Sequence, residues 1–508
     1  MDASDSGKWT VLIIGIITGV VFVIDSSIMS VSITNLVMDL DTTASGVQFA
    51  IALYTLVMGS LLLLGGKLQD IMGRKKTFLI GTVLFAIGAL ITVISFNLIM
   101  VVLGWSVLEG IGAAMMLPAI IAYISKTYHG KERIWALGIF GATTAIAAAS
   151  GPLVGGFLTT YFSWRVAFSV MVIVAVILWI YSRQLEETKP TATWSELDIS
   201  GASTSFLGLL LLLIGIMFLD DPQNISWGII LVIFGLILLL IFYYIQKRRI
   251  NSSKDPLVDV RLFQNRSFTL NNVIRLVTNV VVTGGMVFIF PIFVQQVMGF
   301  NAFMTGVTLL PATIGTLTFA LLVSKFADYL KPRHLVTIGL SIQLMGIFVL
   351  LNTFSLKTSI WDLIPGIFLI GAGYGFTTTL LPNNILSSAP KERQNDASSI
   401  METGSRVGQS MGTALIGTIL LFGVFMSLPP ALEDSGLAQL GVTENDAVQY
   451  VEKMQTENLS FPPEIQEKIT RATDITISSS MNTAMYAMAI LTLISIFTSL
   501  MVREEEMS

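Results

Sequence analysis

The chain has 508 residues, is 53% hydrophobic and 12% charged, and carries a formal net charge of -4. Its charges cluster between apolar runs of about 20 residues or more, the length that crosses a bilayer, which excludes a soluble globular protein and makes this an all-α polytopic membrane protein. No basic tract points to nucleic acid, and the absence of cysteine excludes disulfides, thiolate catalysis and cysteine metal sites.

The apolar runs predict helices over Trp9–Met38, Ala44–Gly66, Thr77–Phe96, Leu98–Ser125, Ile134–Tyr161, Trp164–Tyr181 and Ile199–Leu219. More follow over Ser226–Ile245, Ser267–Met298, Phe303–Phe326, Leu335–Thr353, Ile360–Leu381, Ala397–Leu428 and Ser478–Val502, about fourteen in all. The first run has an acidic leader and no small-residue cleavage pattern, so it is expected to be a retained helix and not a signal peptide. The two histidines, His129 and His334, fall in polar turns with no metal partner in view, and no nucleophile, base and orienting group assemble into an enzyme site.

Short loops alternate in charge. One side carries Arg74, Lys75 and Lys76; Lys126, Lys131 and Arg133; Lys247, Arg248 and Arg249; Lys331 and Arg333; Lys391 and Arg393. The other has only Arg165 and Lys357 in its short loops. The positive-inside rule therefore puts both termini in the cytoplasm of a cell-membrane protein and the acidic segment 429–474 outside. That segment, with an amphipathic stretch at Ala447–Met454, is expected to be a solvated loop, with a lid or a cation-concentrating funnel as the alternative.

The stretch from Gly66 to Lys76 is a charged turn between two membrane-length runs. It lacks the flanking strand and the spacing of a phosphate loop. A degraded copy stands at residues 324–333, with Asp328 and Arg333 as a weaker echo of its charges, and it again follows the second helix of a series when counting restarts at Ser267. Two similar halves with a substrate site between them at mid-membrane are expected from such a repeat. The predicted division is residues 1–198, an inserted helix pair with its linker at 199–266, and 267–508.

Ionisable residues inside membrane helices are functional candidates by default. They are Asp25, Glu109, Arg275, Glu402 and Arg406. Asp25 is expected to bind a proton or a cationic substrate; the plainer alternative is a packing carboxylate held by Ser26 or Ser30. Glu109 is expected to accept a proton, with Ser106 three residues before it on the same helix face. Arg275, with Asn271, Asn272 and Asn279 at helical spacing, either faces a cavity or reaches the surface. Glu402 and Arg406, four apart, are expected to pair on one face. The glycines Gly366, Gly371, Gly373 and Gly375 are expected to pack helices closely, Gly151–Pro152 to bend the fifth helix, and the aromatics Trp105, Phe288, Phe290, Phe293 and Tyr374 mostly to pack.

Several segments together resemble the major facilitator superfamily, and within it the fourteen-helix drug:proton antiporters such as quaternary-ammonium efflux proteins. Gly66-Lys67-Leu68-Gln69-Asp70-Ile71-Met72-Gly73-Arg74-Lys75-Lys76 is similar to the family's G-x-L-x-D-x-x-G-R-K-K loop, with Ile71 in place of an arginine. Asp25 to Val31 resembles the first-helix D-x-T-I-V-N-V element, and Gly151-Pro152-Leu153-Val154-Gly155-Gly156 the antiporter element G-P-x-x-G-G. Phe290 to Gly299, Leu309-Leu310-Pro311 and Ser405 to Gly412 are similar to the ninth, tenth and thirteenth helices of this branch. The fourth helix departs from the pattern R-x-L-Q-G-x-G-A-A: Ser106 stands at the arginine linked in the family to proton coupling, and Glu109 at the glutamine.

The resemblance implies a major facilitator fold of two six-helix bundles plus two additional helices. It implies proton-coupled export of amphipathic, cationic compounds by alternating access, in a monomer without cofactor or metal, whose partners are the substrate, protons and the lipid bilayer. Gly66, Asp70, Gly73, Arg74, Lys75, Asp328 and Arg333 would form a cytoplasmic gate. A lipid, fatty acid or anionic amphiphile bound through Arg275 is the alternative cargo, and a non-transporting sensor or scaffold the alternative class.

Overall fold

A chain of apolar runs satisfies its backbone within lipid only by coiling each run into a helix. The computed structural model describes residues 3–190, 193–194, 197–219, 224–252, 254, 256–326, 330–351, 353–390, 393–435 and 463–502. We label its long helices α1 (Ala3–Val31), α2 (Ala44–Met72), α3 (Arg74–Val93), α4 (Leu98–Thr127), α5 (Gly130–Tyr161), α6 (Trp164–Ser182) and α7 (Ile199–Met217). The series continues with α8 (Ile225–Asn251), α9 (Arg266–Val297), α10 (Ala302–Phe326), α11 (Pro332–Leu350), α12 (Ile360–Ser387), α13 (Gln394–Asp434) and α14 (Pro463–Leu500). Thirteen are long and apolar enough to cross a membrane, fourteen when the bent α5 counts as one span. This is a multi-pass, all-helical membrane protein.

Starts of helices follow side-chain chemistry. Thr43 accepts from the Gly46 N–H, Asn97 from Met100 and Ser163 from Val166, each at 3.0–3.1 Å, caps worth about 1 kcal/mol each. Ser359 and Asp362 form a reciprocal capping box at α12. Helix α5 bends by 44° between 135–148 and 150–161; Pro152 has no N–H for the carbonyl of residue 148, which puts the bend there. Helices α4 and α9 contain wider π-helical turns, at Val102–Glu109 and at Gly284–Ile289 and Phe293–Val297.

Helices α1 to α6 pack mainly on one another, as do α9 to α14, and the two groups meet along α2 with α13 and α5 with α10. Close approaches depend on absent side chains: Gly371 lies on the Ala312 carbonyl and Gly375 on that of Thr316, between α12 and α10. We call the end bearing Arg74 and Lys247 the basic end and the other the far end. At the far end α13 and α14 extend beyond their apolar runs into the segment expected to be a loop, because Leu428, Ala431, Leu432, Ile469, Ala472 and Ile475 pack the two extensions together. The stretch Ala447–Met454 lies outside the described residues.

The pair α7 and α8 is fastened at the basic end by buried polar bonds. Asp198 caps α7 on the Gly201 N–H at 2.9 Å and accepts from Gln246 of α8 at 2.7 Å; the Gln246 oxygen accepts from the Leu257 N–H at 2.8 Å. Two residues on, Asp259 is ion-paired with Arg261 and with Arg393, which precedes α13. Burial by itself would raise the Asp259 carboxyl, but hydrogen bonds from Arg261 and the charges of Arg393 and Arg261 outweigh it and hold it below its ordinary value. By contrast the segment after α6 is tied to the first group: Tyr123 donates to Glu186 O at 2.7 Å and the Arg74 N–H to the Thr188 hydroxyl at 2.7 Å.

One interior group invites a stability test. Gln343 of α11 is fully buried, and neither its amide nitrogen nor its oxygen has a hydrogen-bond partner among the described residues. Leaving a buried polar group unpaired costs about 1–3 kcal/mol. Gln343→Leu is therefore expected to raise the thermal unfolding midpoint in detergent; a lower midpoint would mean that the amide is satisfied in the membrane protein.

Candidate functional site

Three helices of the first group bring their polar side chains to one buried point. Asp25 of α1, Tyr54 of α2 and Trp105 and Glu109 of α4 are each at most 1% exposed. The Trp105 indole N–H donates to Asp25 Oδ2 at 2.8 Å, and the Tyr54 ring stacks on Trp105 with centroids 4.3 Å apart and an interplanar angle of 10°. Thr92 of α3 stands 3.5 Å from Glu109 Oε1, and the Asp25 and Glu109 carboxyls face each other. Among the described residues, Asp25 Oδ1, Glu109 Oε2 and the Tyr54 hydroxyl have no hydrogen-bond partner. Neither carboxyl has an arginine or lysine bonded to it among the described residues.

Local chain geometry explains which residues meet. Ser26 and Ser30 return their hydroxyls to Phe22 and Ser27 carbonyls, so the hydroxyls expected to hold Asp25 do not, and the indole does. Ser106 and Glu109 were expected on one face, but they sit in a π-helical segment with a wider turn than an α-helix. Ser106 accordingly points to α2 and donates to the Ala50 carbonyl at 2.8 Å, leaving Glu109 alone at the cluster. Phe288, Phe290 and Phe293 are fully buried, and Phe290 and Phe293 pack against Phe354.

A second polar cluster lies in the other group. Arg275 of α9 bridges to Glu402 of α13 at 3.0 Å and donates to the Ser405 hydroxyl at 2.5 Å. The expected pair of Glu402 with Arg406 is thus replaced by one between helices, because α9 lies alongside α13 and offers a shorter route to the carboxylate. Arg275 is neither a surface arginine nor a spare charge. Arg406 instead donates to Gln409 at 3.2 Å, and Tyr374 and Gln409 both donate to Asn279 Oδ1, at 3.2 and 3.4 Å.

Between the groups the closest approaches run from mid-bundle to the far end. Gly59 lies on Arg406; a Cβ there would be 2.4 Å from that of the arginine. Ser410 donates to the Ala52 carbonyl at 2.7 Å and Gln48 to that of Thr413 at 2.9 Å. Within the first group Gly151 and Gly155 receive Ser27 and Ile28 of α1, while across the seam Gly156 lies on the Ala302 carbonyl and the Pro152 carbonyl lies on Gly306. Gln295 donates to the Val31 carbonyl at 2.8 Å, and Thr160 accepts from the Phe303 N–H at 3.0 Å.

In the turn at Gly66–Lys76, Gly73 adopts φ 87° against the Thr188 carbonyl, and Arg74 donates to the Ala122 carbonyl at 3.1 Å. Arg74 is thus held by its own group here and not against the partner bundle. A Cβ at Gly66 would meet nothing within 4 Å. Lys75 is partly buried and Asp70 and Arg333 each have interaction partners; Asp328 lies outside the described residues. Trp105 and Tyr54 were missed as site residues, because an aromatic in an apolar run carries no signal of the polar group it will meet. Among the described residues no cluster of metal-binding side chains occurs.

Residues 15–413 match the Major Facilitator Superfamily profile. The multidrug transporter protein MdtP of Bacillus subtilis is 26% identical over 417 residues, 81% of this chain and 75% of the relative. The methyl viologen resistance protein SmvA of Salmonella typhimurium is 26% identical over 452 residues, 88% of this chain and 90% of the relative. Among solved structures, a peptide transporter POT in complex with sulfate superposes with a TM-score of 0.65 at 14% identity, covering 98% of this chain and 94% of that one, a likeness of fold alone.

Proposed function

The chain belongs to the Major Facilitator Superfamily, and on that premise we propose that it is a multidrug exporter that exchanges protons for amphipathic, cationic compounds by alternating access. It is a transporter and not an enzyme. The names of its relatives support drug export. The observation that carries the exchange is the meeting of Asp25 and Glu109 at one buried point, with no arginine or lysine bonded to either among the described residues. Two carboxyls side by side in a water-poor site resist being ionised together, so they share a proton. When the pair is ionised it attracts a cationic substrate; when a proton enters from the other side the charge is neutralised and the substrate leaves. Competition for one charge makes the two fluxes opposite and coupled.

An anionic cargo is not favoured, because the Arg275 charge that motivated it is matched by Glu402. With the basic end taken as cytoplasmic, the contacts at the far end describe a transporter closed to the outside. The turn at Gly66, Asp70, Gly73, Arg74 and Lys75, with Arg333 in the second half, would then engage the opposite bundle only in the outward-open state, as a gate and not a binding loop. In everted vesicles the protein is expected to accumulate ethidium when a proton gradient is imposed and to release it when a protonophore collapses the gradient. Accumulation indifferent to the protonophore would refute proton exchange.

A further inference from the structure

A membrane helix can break only where something else satisfies the backbone groups that the break sets free. Helix α1 breaks inside the bundle: it ends at Val31, Ser32 forms a turn, and a short helical segment, Ile33–Asp39, continues the chain. Val31, Ser32 and Ile33 are all fully buried. The last carbonyls of one piece and the first N–H groups of the next have no partner within their own helices. Two of these groups are taken by one side chain from the opposite half. Gln295 of α9 donates its amide nitrogen to the Val31 carbonyl at 2.8 Å, and its amide oxygen accepts from the Thr34 N–H at 3.3 Å.

A carboxamide carries a donor and an acceptor as a peptide group does, so Gln295 supplies α1 with what its own next turn would supply. It is 6% exposed and sits in the π-helical turn Phe293–Val297, a kind of turn frequent at functional sites. Gln48 of α2 is the contrasting case. It also crosses the seam, donating to the Thr413 and Ala414 carbonyls, but it lands on an unbroken stretch of α13.

We propose that Gln295 is a clasp whose release lets α1 become one continuous helix, so that opening of the far side exchanges two bonds between the halves for two within α1. In the closed arrangement the Gln295 amide holds the break. When the halves part, the Val31 carbonyl takes the Asn35 N–H and the Thr34 N–H goes to the Ser30 carbonyl, the partners four residues away in an α-helix, while the Gln295 amide passes to water at the opened mouth. Neither arrangement leaves a buried backbone group unpaired, and the far side opens without that cost. Helix α1 also carries Asp25, so the clasp ties the helix of the proton site to the opposite half. The proposal rests on the alternating-access reading above and names the device that holds the outside shut.

The absence of native cysteine allows a test that needs no substrate. The full chain carrying Phe96→Cys and Lys357→Cys, exposed positions at the far end with one on each half, is spin-labelled in lipid nanodiscs, and the closed and open distance populations are compared. Gln295→Met, which keeps the length of the side chain and removes the amide, is expected to raise the ratio of open to closed molecules by about tenfold, the equivalent of one to two hydrogen bonds. Ser32→Ala and Ser32→Gly separate the helix from the clasp. Both lose the bond between Ser32 and Thr159, but alanine favours a continuous helix over glycine by about fivefold, so the ratio should be about fivefold higher in Ser32→Ala than in Ser32→Gly.

Equal ratios in the two Ser32 variants would mean that water, and not α1, takes over the freed groups, and would overturn the proposal. This pair keeps Gln295 in place, so it decides the matter even if Gln295→Met does not fold. If the starting protein opens at the far end and Gln295→Met leaves the ratio unchanged, the clasp fails while alternating access stands. If the starting protein holds a single far-end distance at acid and alkaline pH and with ethidium added, alternating access fails and the clasp with it.

Discussion

Asp25→Asn combined with Glu109→Gln is expected to bring proton-driven ethidium efflux to background, while the protein still folds and inserts. Both replacements keep the size of the side chain, and the amide oxygens still accept from Trp105 and Thr92, the partners that hold the two carboxyls in place. What they remove is the ability to exchange a proton. Typical coupling energies of about 1–3 kcal/mol correspond to about 5- to 150-fold, so each single variant should keep part of the coupling and the double variant none. Ethidium binding to the double variant should also weaken and become independent of pH, because an amide pair imitates the protonated state. The measurement is dye accumulation in everted vesicles beside dye binding to purified protein. Gradient-driven accumulation that survives the double substitution would place the proton elsewhere.

The second large effect belongs to the α5–α10 seam. Gly156→Val puts a side chain where even a Cβ would lie 2.4 Å from the Ala302 carbonyl oxygen and 2.8 Å from the Phe303 Cα, both backbone atoms. Overpacking of this kind costs about 1–3 kcal/mol, and here it is relieved by parting the halves at the far end. The expected result is a population shift towards that opening of about 5- to 150-fold, with net transport falling accordingly and dye binding retained. A Thr160→Cys probe should become more accessible to a membrane-impermeant thiol reagent from the far side in the Gly156→Val background. Gly141→Val on the same helix is the control, since a Cβ there meets nothing within 4 Å; equal effects of the two would show that the seam is not what Gly156 serves.

Much of the fold was legible because a membrane makes sequence explicit. Each apolar run has to become a helix, so the fourteen predicted spans correspond to the helices of the structure, and the bend at Pro152 follows from one missing N–H. The ends were less legible: α13 and α14 run past their apolar segments because a small apolar cluster at Leu428, Leu432 and Ile469 holds the extensions together, a tertiary cause with no local signature. The candidate site was legible by half. Asp25 and Glu109 stood out because a carboxyl in an apolar run is costly and therefore rare.

Their partners did not stand out. Trp105 looks like any apolar aromatic until its indole is placed beside Asp25, and Tyr54 until its ring is stacked on Trp105. Ser106 seemed to share a face with Glu109 only because an α-helical turn was assumed where the chain makes a wider one. Helical spacing made Glu402 and Arg406 natural partners, yet the carboxylate is met by Arg275 from another helix. Periodicity knows only neighbours along the chain, whereas an ion pair forms with whichever opposite charge is within reach once the helices have packed.

The sequence by itself determined that the chain crosses a membrane many times, which end of its bundle is basic, that two carboxyls lie buried in lipid-length runs, and that its motifs resemble those of drug antiporters. These depend on hydrophobicity and charge counted along the chain. Only the tertiary structure decided that the two carboxyls face each other beside an indole and a phenol, that Arg275 is taken by Glu402, and that Arg406 rests on Gly59 at the seam. Those facts depend on which helices lie side by side and how closely their backbones approach, and a glycine's missing side chain becomes informative only when the neighbour that fills its place is known.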